Sequence, residues 1–130
     1  MNDDSPIIIV NLKAYEQGYG ANGYDLCKIM EEIALEHKVN LAAAVSPIDL
    51  VDFSDNLDIP IFAQHVDGVN FGSHTGSILP EAVRYSGAVG TLVNHAECQM
   101  SWEEIEKTIN RCKELDLLTA VSYTHLTLPT

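Results

Sequence analysis

Apolar residues in this chain fall into short runs separated by stretches of helical periodicity. The run Ile7-Ile8-Ile9-Val10, closed by Asn11, is β-branched and reads as a strand. Leu26, Ile29, Met30, Ile33, Ala34 and His37 then recur at steps of three and four, which predicts a helix with these side chains on one face. Asn40 to Val45 reads as a second strand. Ser46-Pro47 supplies a cap and a proline at the first helical position, so a short helix is expected there. Ile59 to Ala63 is a third strand, followed by a loop from Gln64 to Ser77 rich in glycine, histidine and aspartate. Leu79 to Tyr85 is a short helix that Gly87 can stop. Ala88 to Val93 is a fourth strand. Ser101-Trp102-Glu103-Glu104 is a capping box opening a helix whose stripe is Trp102, Ile105, Ile109 and Cys112. Leu117 to Val121 is a fifth strand.

The strands are continuous apolar runs, the pattern of a parallel sheet buried on both faces. Four strand–helix units and a fifth strand fit a doubly wound sheet or part of a (β/α)₈ barrel. No G-x-G-x-x-G sequence follows the first strand, which weighs against a dinucleotide-binding sheet. A whole barrel takes about 250 residues. The 130 residues here are therefore expected to form close to half of one, in a domain spanning 1–121. The competing architecture is an open five-stranded layer with helices on both faces, a non-catalytic module binding an anion or a protein partner. Residues 122–130 carry no charge, continue neither pattern, and read either as a tail foreign to the domain or as its frayed end.

The formal net charge of −12 changes the picture by exclusion. A surface this acidic repels phosphate backbones and anionic bilayers, so neither nucleic acid nor membrane is an expected partner. The longest apolar runs, Pro6 to Val10 and Leu41 to Val45, fall far short of the about 20 residues needed to span a bilayer. The start, Met1-Asn2-Asp3-Asp4, is not the basic opening of a signal peptide. Cys27, Cys98 and Cys112 show no pairing spacing and read as small buried residues, reduced thiols of a cytoplasmic protein.

Polar residues at the C-terminal ends of strands are the natural candidates for chemistry. Asn11 and Lys13 close the first strand, and strand alternation points them to the same side. A lysine there suits a phosphate or a developing oxyanion. His95 and Glu97 follow the fourth strand. The histidine can donate a hydrogen bond or proton to a substrate oxygen, and Glu97 can orient the lysine. The loop from Gln64 and His65 to Thr75 and Gly76 matches no metal signature, so no metal is expected.

Taken in order, these segments resemble triosephosphate isomerase, archaeal branch. The carriers are Asn11-Leu12-Lys13, Phe62-Ala63-Gln64-His65-Val66-Asp67, Gly72-Ser73-His74-Thr75-Gly76, Leu79-Pro80-Glu81-Ala82-Val83, and Gly87 through Glu97. The likeness runs from about Ile7 to Ala120. It implies the N-terminal half of a TIM barrel, with dihydroxyacetone phosphate and glyceraldehyde 3-phosphate as substrates, no cofactor, and a place in glycolysis and gluconeogenesis. It implies that Lys13 offsets substrate charge, Asn11 holds that site, and Glu97 pairs with Lys13. It implies that His95 is the electrophile, since the family pairs a neutral histidine electrophile with a glutamate base. It further implies a dimer or tetramer, in which the loop carrying Gln64, His65, Thr75 and Gly76 projects into a neighbour, Thr75 near Asn11 of the partner subunit. The chain departs from the family at Ala96, where serine is usual, and at Cys98 and Gln99, where basic residues are common. No glutamate stands in the context of the family's base, so this chain alone is expected to be inactive.

Overall fold

The computed structural model describes residues 5–123. Five strands lie parallel in one sheet: β1 (Ile7–Asn11), β2 (Asn40–Val45), β3 (Ile61–Ala63), β4 (Gly90–Val93) and β5 (Leu118–Val121). Their spatial order is their chain order. Four α-helices make the crossovers that parallel strands require: α1 (Gly20–His37), α2 (Leu50–Asn56), α3 (Pro80–Tyr85) and α4 (Trp102–Glu114). Among the described residues no helix is long and apolar enough to cross a membrane.

Strand alternation divides the sheet into two unlike faces. Ala43, Val45, Ile61 and Ala63 pack with Cys27 and Met30 of α1, Leu50 and Phe53 of α2, Val83 of α3 and Cys112 of α4. Ala42, Ala44 and Phe62, with Ile7, Ile9, Val89 and Leu92 against them, form a second cluster that contains no helical residue. All four helices therefore lie on one side. This is the half-barrel, and the open layer with helices on two faces is not what the chain adopts.

The helix-free face is shaped by Gly90. It pairs with Phe62, and a Cβ there would stand 2.6 Å from the Leu118 carbonyl oxygen and 2.7 Å from Phe62 Cε2. A glycine in β4 thus leaves room for Phe62, the aromatic ring of the inner face.

Several sequence expectations shift. The third strand begins at Ile61, because Pro60 has no N–H to give the ladder; its carbonyl still accepts from Ala43 N–H at 3.1 Å. Burial on both faces holds for β2 and β3 but not for the edge strand β1, where Ile8 is 56% exposed between half-buried neighbours. On α1 the buried stripe is Gly23, Cys27 and Met30, while Leu26, Ile29 and Ile33 are exposed. Gly23 sets that rotation: a Cβ there would lie 2.7 Å from the Gly18 carbonyl oxygen, so the helix seats on its glycine side. The capping box is as expected. Ser101 Oγ accepts from Glu104 N–H and Glu104 Oε1 accepts from Ser101 N–H, both at 3.2 Å. Of residues 122–130, Ser122 N–H still bonds the Val93 carbonyl at 3.0 Å, and 124–130 lie outside the described residues.

The loop after β3 is tied down at its base. Asp67 N–H donates to the Ile78 carbonyl at 2.9 Å, and Ile78 N–H returns to Asp67 Oδ2 at 2.8 Å. Arg111 of α4 adds a tie at Val69 and links α4 to α3. Its Nε donates to the Val69 carbonyl at 3.2 Å and its outer nitrogen grips both carboxylate oxygens of Glu81 on α3.

Candidate active site

The C-terminal ends of β1, β3 and β4 open on a cleft of about 320 Å³ lined by Asn11, Lys13, Gln64, His65, His95, Glu97 and Cys98, among others. A cleft of like size at the opposite end of the strands is lined by Glu31, Leu35, Val39, Leu41, Asp58 and neighbours, with no basic group. Of the two clefts at the strand ends, only the first suits an anion.

Asn11 and Gln64 close inward-facing positions of β1 and β3. Gln64 Nε2 is the hub: it donates to the Lys13 carbonyl at 2.9 Å, to Asn11 Oδ1 at 3.3 Å and to the Ala44 carbonyl at 3.4 Å. Asn11 Oδ1 also accepts from Lys13 N–H at 2.9 Å. Lys13 sits in the left-handed region, with φ of 52°. Alternation does not carry past the strand end; a turn clamped by two side-chain amides brings Lys13 and Asn11 to one cleft.

Beyond β4 the chain turns sharply at Asn94, φ 60°, which is fully buried. Its Oδ1 accepts from Met100 N–H at 2.8 Å and its Nδ2 donates to the Ser122 carbonyl at 3.1 Å. A second turn closes with Cys98 N–H on the His95 carbonyl at 2.8 Å. Glu97 N–H then donates to His95 Nδ1 at 3.1 Å. An accepting Nδ1 carries no proton, so the ring N–H is Nε2, on the other edge of the imidazole. The Glu97 carboxylate also lies 3.6 Å from Nδ1. The shorter, directed backbone bond assigns the tautomer, and the longer approach is not an ion pair.

Lys13 Nζ lies 3.6 Å from Glu97 Oε1 and 5.8 Å from the centre of the Tyr15 ring. The Glu97 side chain is 63% exposed. Such a pair is worth at most about 1 kcal/mol, so it aims the ammonium group more than it stabilises the fold.

Lys13, Asn11, His95 and Glu97 thus share one cleft. Gln64 and His65 join them as lining residues, whereas Thr75 and Gly76 are exposed on the loop and line none of it. Cys27 and Cys112 are buried as expected, with thiols pushed up to about 11, chiefly by burial. Cys98 is exposed. Sequence reading gave no structural part to Asn94 and none to Gln64 within the site. The signal was present, since each is an amide directly after an apolar strand, as Asn11 is.

A one-sided run of parallel strand–helix units with a lysine, a histidine and a carboxylate at the strands' C-terminal rim defines part of a (β/α)₈-barrel protein. Residues 6–121 match the family model "Triosephosphate isomerase". The chain belongs to the triosephosphate isomerase family. It is 45% identical over 118 residues to the triosephosphate isomerase of Methanothermobacter thermautotrophicus, covering 91% of this chain and 52% of that one. It is 42% identical over 115 residues to that of Methanocaldococcus jannaschii, covering 88% and 52%. The chain spans about half the length of these curated relatives. In fold it matches the crystal structure of triosephosphate isomerase from Bartonella henselae with a TM-score of 0.73 at 16% identity, over 89% of this chain and 50% of that one.

Proposed function

We propose that this chain is the N-terminal half of a triosephosphate isomerase and supplies the anion-binding and electrophilic side of its site. The parent enzyme would interconvert dihydroxyacetone phosphate and glyceraldehyde 3-phosphate through an enediol, without a cofactor, in the cytoplasm. The observation that carries the reading is the meeting of Lys13 and His95 in one cleft, with Glu97 between them.

In this reading Lys13 Nζ offsets the negative charge of the phosphate and of the developing enediolate oxygen. His95 Nε2–H hydrogen-bonds the two substrate oxygens in turn as a proton moves between carbons 1 and 2. Asn11 and Gln64 hold the Lys13 turn. A base must reach the substrate carbon, and no carboxylate of the described residues lines this cleft except Glu97, which is engaged with the lysine. The chain alone is therefore inactive, and the base belongs to the other half. The parent would be a dimer or tetramer whose loop, with Thr75 and Gly76 at its tip, meets Asn11 of the partner subunit.

The test is an assay of triose phosphate interconversion by the purified chain, and by a chimera joining residues 5–121 to the second half of the Methanothermobacter thermautotrophicus relative. Turnover by the chimera and none by the chain is expected. An inactive chimera that is folded, or robust activity of the chain alone, overturns the proposal.

A further inference from the structure

The cleft holds a second constellation that the isomerase reading does not use. Cys98 Sγ lies 3.5 Å from His65 Nδ1, and His65 Nε2 lies 2.9 Å from Asp67 Oδ1. Asp67 is itself fixed by the Ile78 N–H on Oδ2 and by its own N–H on the Ile78 carbonyl. Burial pushes its carboxyl up, but the hydrogen bonds from Ile78 and His65 outweigh burial and hold it below the usual carboxylate range. An ionised carboxylate only accepts, so His65 Nε2 carries the ring proton. The lone pair of Nδ1 then faces the thiol. Nucleophile, base and orienting carboxylate stand in the order used for nucleophilic cysteine chemistry.

The surroundings allow a reagent to arrive. Cys98 is exposed at the cleft mouth, whereas Cys27 and Cys112 are buried. Asp67 and His65 sit at the clamped base of the loop, where Gly68 packs so close to α4 that a Cβ would meet Thr108 N at 2.7 Å. The base is therefore held in place against the thiol.

We propose that Cys98 is a reactive thiol, a modification site for small electrophiles and hydroperoxides, with His65 as its general base and Asp67 positioning that base. With an alkyl halide, the Sγ proton passes to His65 Nδ1 as sulfur displaces halide and an S–C bond forms. With a hydroperoxide, sulfur attacks the outer oxygen and the O–O bond breaks. The departing oxygen takes the proton back from His65, leaving a sulfenic acid and water or an alcohol. The thiol is oxidised and the peroxide reduced. An adduct at Cys98 stands among Lys13, His95 and Glu97, so it also obstructs the cleft. The thiol chemistry itself needs only this geometry and stands apart from the isomerase reading.

The native chain is treated with iodoacetamide at neutral pH, quenched over time and mapped by mass spectrometry. The reference is a synthetic peptide spanning Asn94–Met100. Cys98 is expected to react about tenfold or more faster than the peptide, while Cys27 and Cys112 stay unlabelled. His65→Asn and Asp67→Asn should each bring Cys98 to within about twofold of the peptide rate. Brief hydrogen peroxide followed by dimedone should tag Cys98 alone. A native rate equal to the peptide's overturns the proposal whatever the variants do. So does an unchanged rate in His65→Asn with Cys27 and Cys112 still protected. Labelling of those two reports a variant that has lost its fold, and the comparison of native chain with peptide then decides.

Discussion

The side-chain amide of Gln64 donates to the backbone carbonyl of Lys13 at 2.9 Å across 51 residues of sequence. The same nitrogen reaches Asn11 Oδ1 and the Ala44 carbonyl, so one donor group holds the left-handed turn that presents the lysine. Gln64→Glu keeps the shape and replaces a donor by a carboxylate facing acceptors. It should cost about 1–3 kcal/mol, read as a lowered midpoint of denaturation, and should broaden or move the Lys13 amide resonance. A variant as stable as the parent, with an unmoved Lys13 signal, would show that the turn holds itself.

The proposed function gives Lys13 and His95 separate parts of the reaction, which the chimera can tell apart. His95→Gln should lower kcat by about 10²–10⁴-fold with little change in KM. Lys13→Met should lower kcat/KM by about 10²–10³-fold and weaken inhibition by inorganic phosphate. If both variants retain parental kinetics, the two side chains do not face the substrate.

Glu81 ties α3 to Arg111 of α4, and the hydrogen bonds from Arg111 hold its carboxyl below the usual range. A carboxyl with a folded value below its unfolded one adds stability that is fully present above the unfolded value, about 4.3, and lost as pH falls through the folded value. The pair is partly exposed, so about 1 kcal/mol is expected. The difference in Tm between the parent and Glu81→Gln should be largest near pH 7 and should shrink as pH falls below about 4. A gap that persists in acid would assign the effect to packing instead.

Gly90 bears on the inner face directly. Gly90→Ala puts a methyl group 2.6 Å from a backbone oxygen of β5 and against the Phe62 ring, where neither can retreat without opening the sheet. A loss of about 1–3 kcal/mol in urea denaturation is expected. The double variant with Phe62→Leu should recover part of it, and simple additivity would place the strain elsewhere.

The apolar residues left in water give a fifth expectation. Leu26, Ile29 and Ile33 of α1 are exposed, as are Ile8 of β1 and Leu118 of β5. The chain should self-associate in sedimentation at micromolar concentration. Ile29→Glu with Ile33→Glu should shift it toward monomer while changing stability by only about 0.5 kcal/mol, because these side chains are not in the core. An unaltered sedimentation profile would direct attention to the unpaired edges of β1 and β5.

The order of elements was legible because each strand is a compact apolar run, α1 has helical periodicity, and α3 and α4 have a stop or a cap that the sequence spells out, at Gly87 and Ser101. The half-barrel was legible through the count of units together with the ordered family motifs; what decides it, helices on one face alone, depends on which alternate residues of β2 and β3 meet helices. The face of α1 was misread because periodicity cannot distinguish an apolar stripe in the core from one in water. Gly23, which no hydrophobic pattern weighs, sets the rotation. At the site, Lys13, Asn11, His95 and Glu97 stand out as polar residues after strands. The contact between Cys98 and His65 does not, since it joins turns 33 residues apart and depends on side-chain direction.

Strands that run parallel in chain order all deliver their C-terminal residues to the same rim. Any strand added beside β1 or β5 in the same direction brings its own last residues to that rim without moving Lys13 or His95. In the proposed parent, the last residues of a second half would therefore reach this rim in register with Lys13 and His95 through the backbone ladder alone.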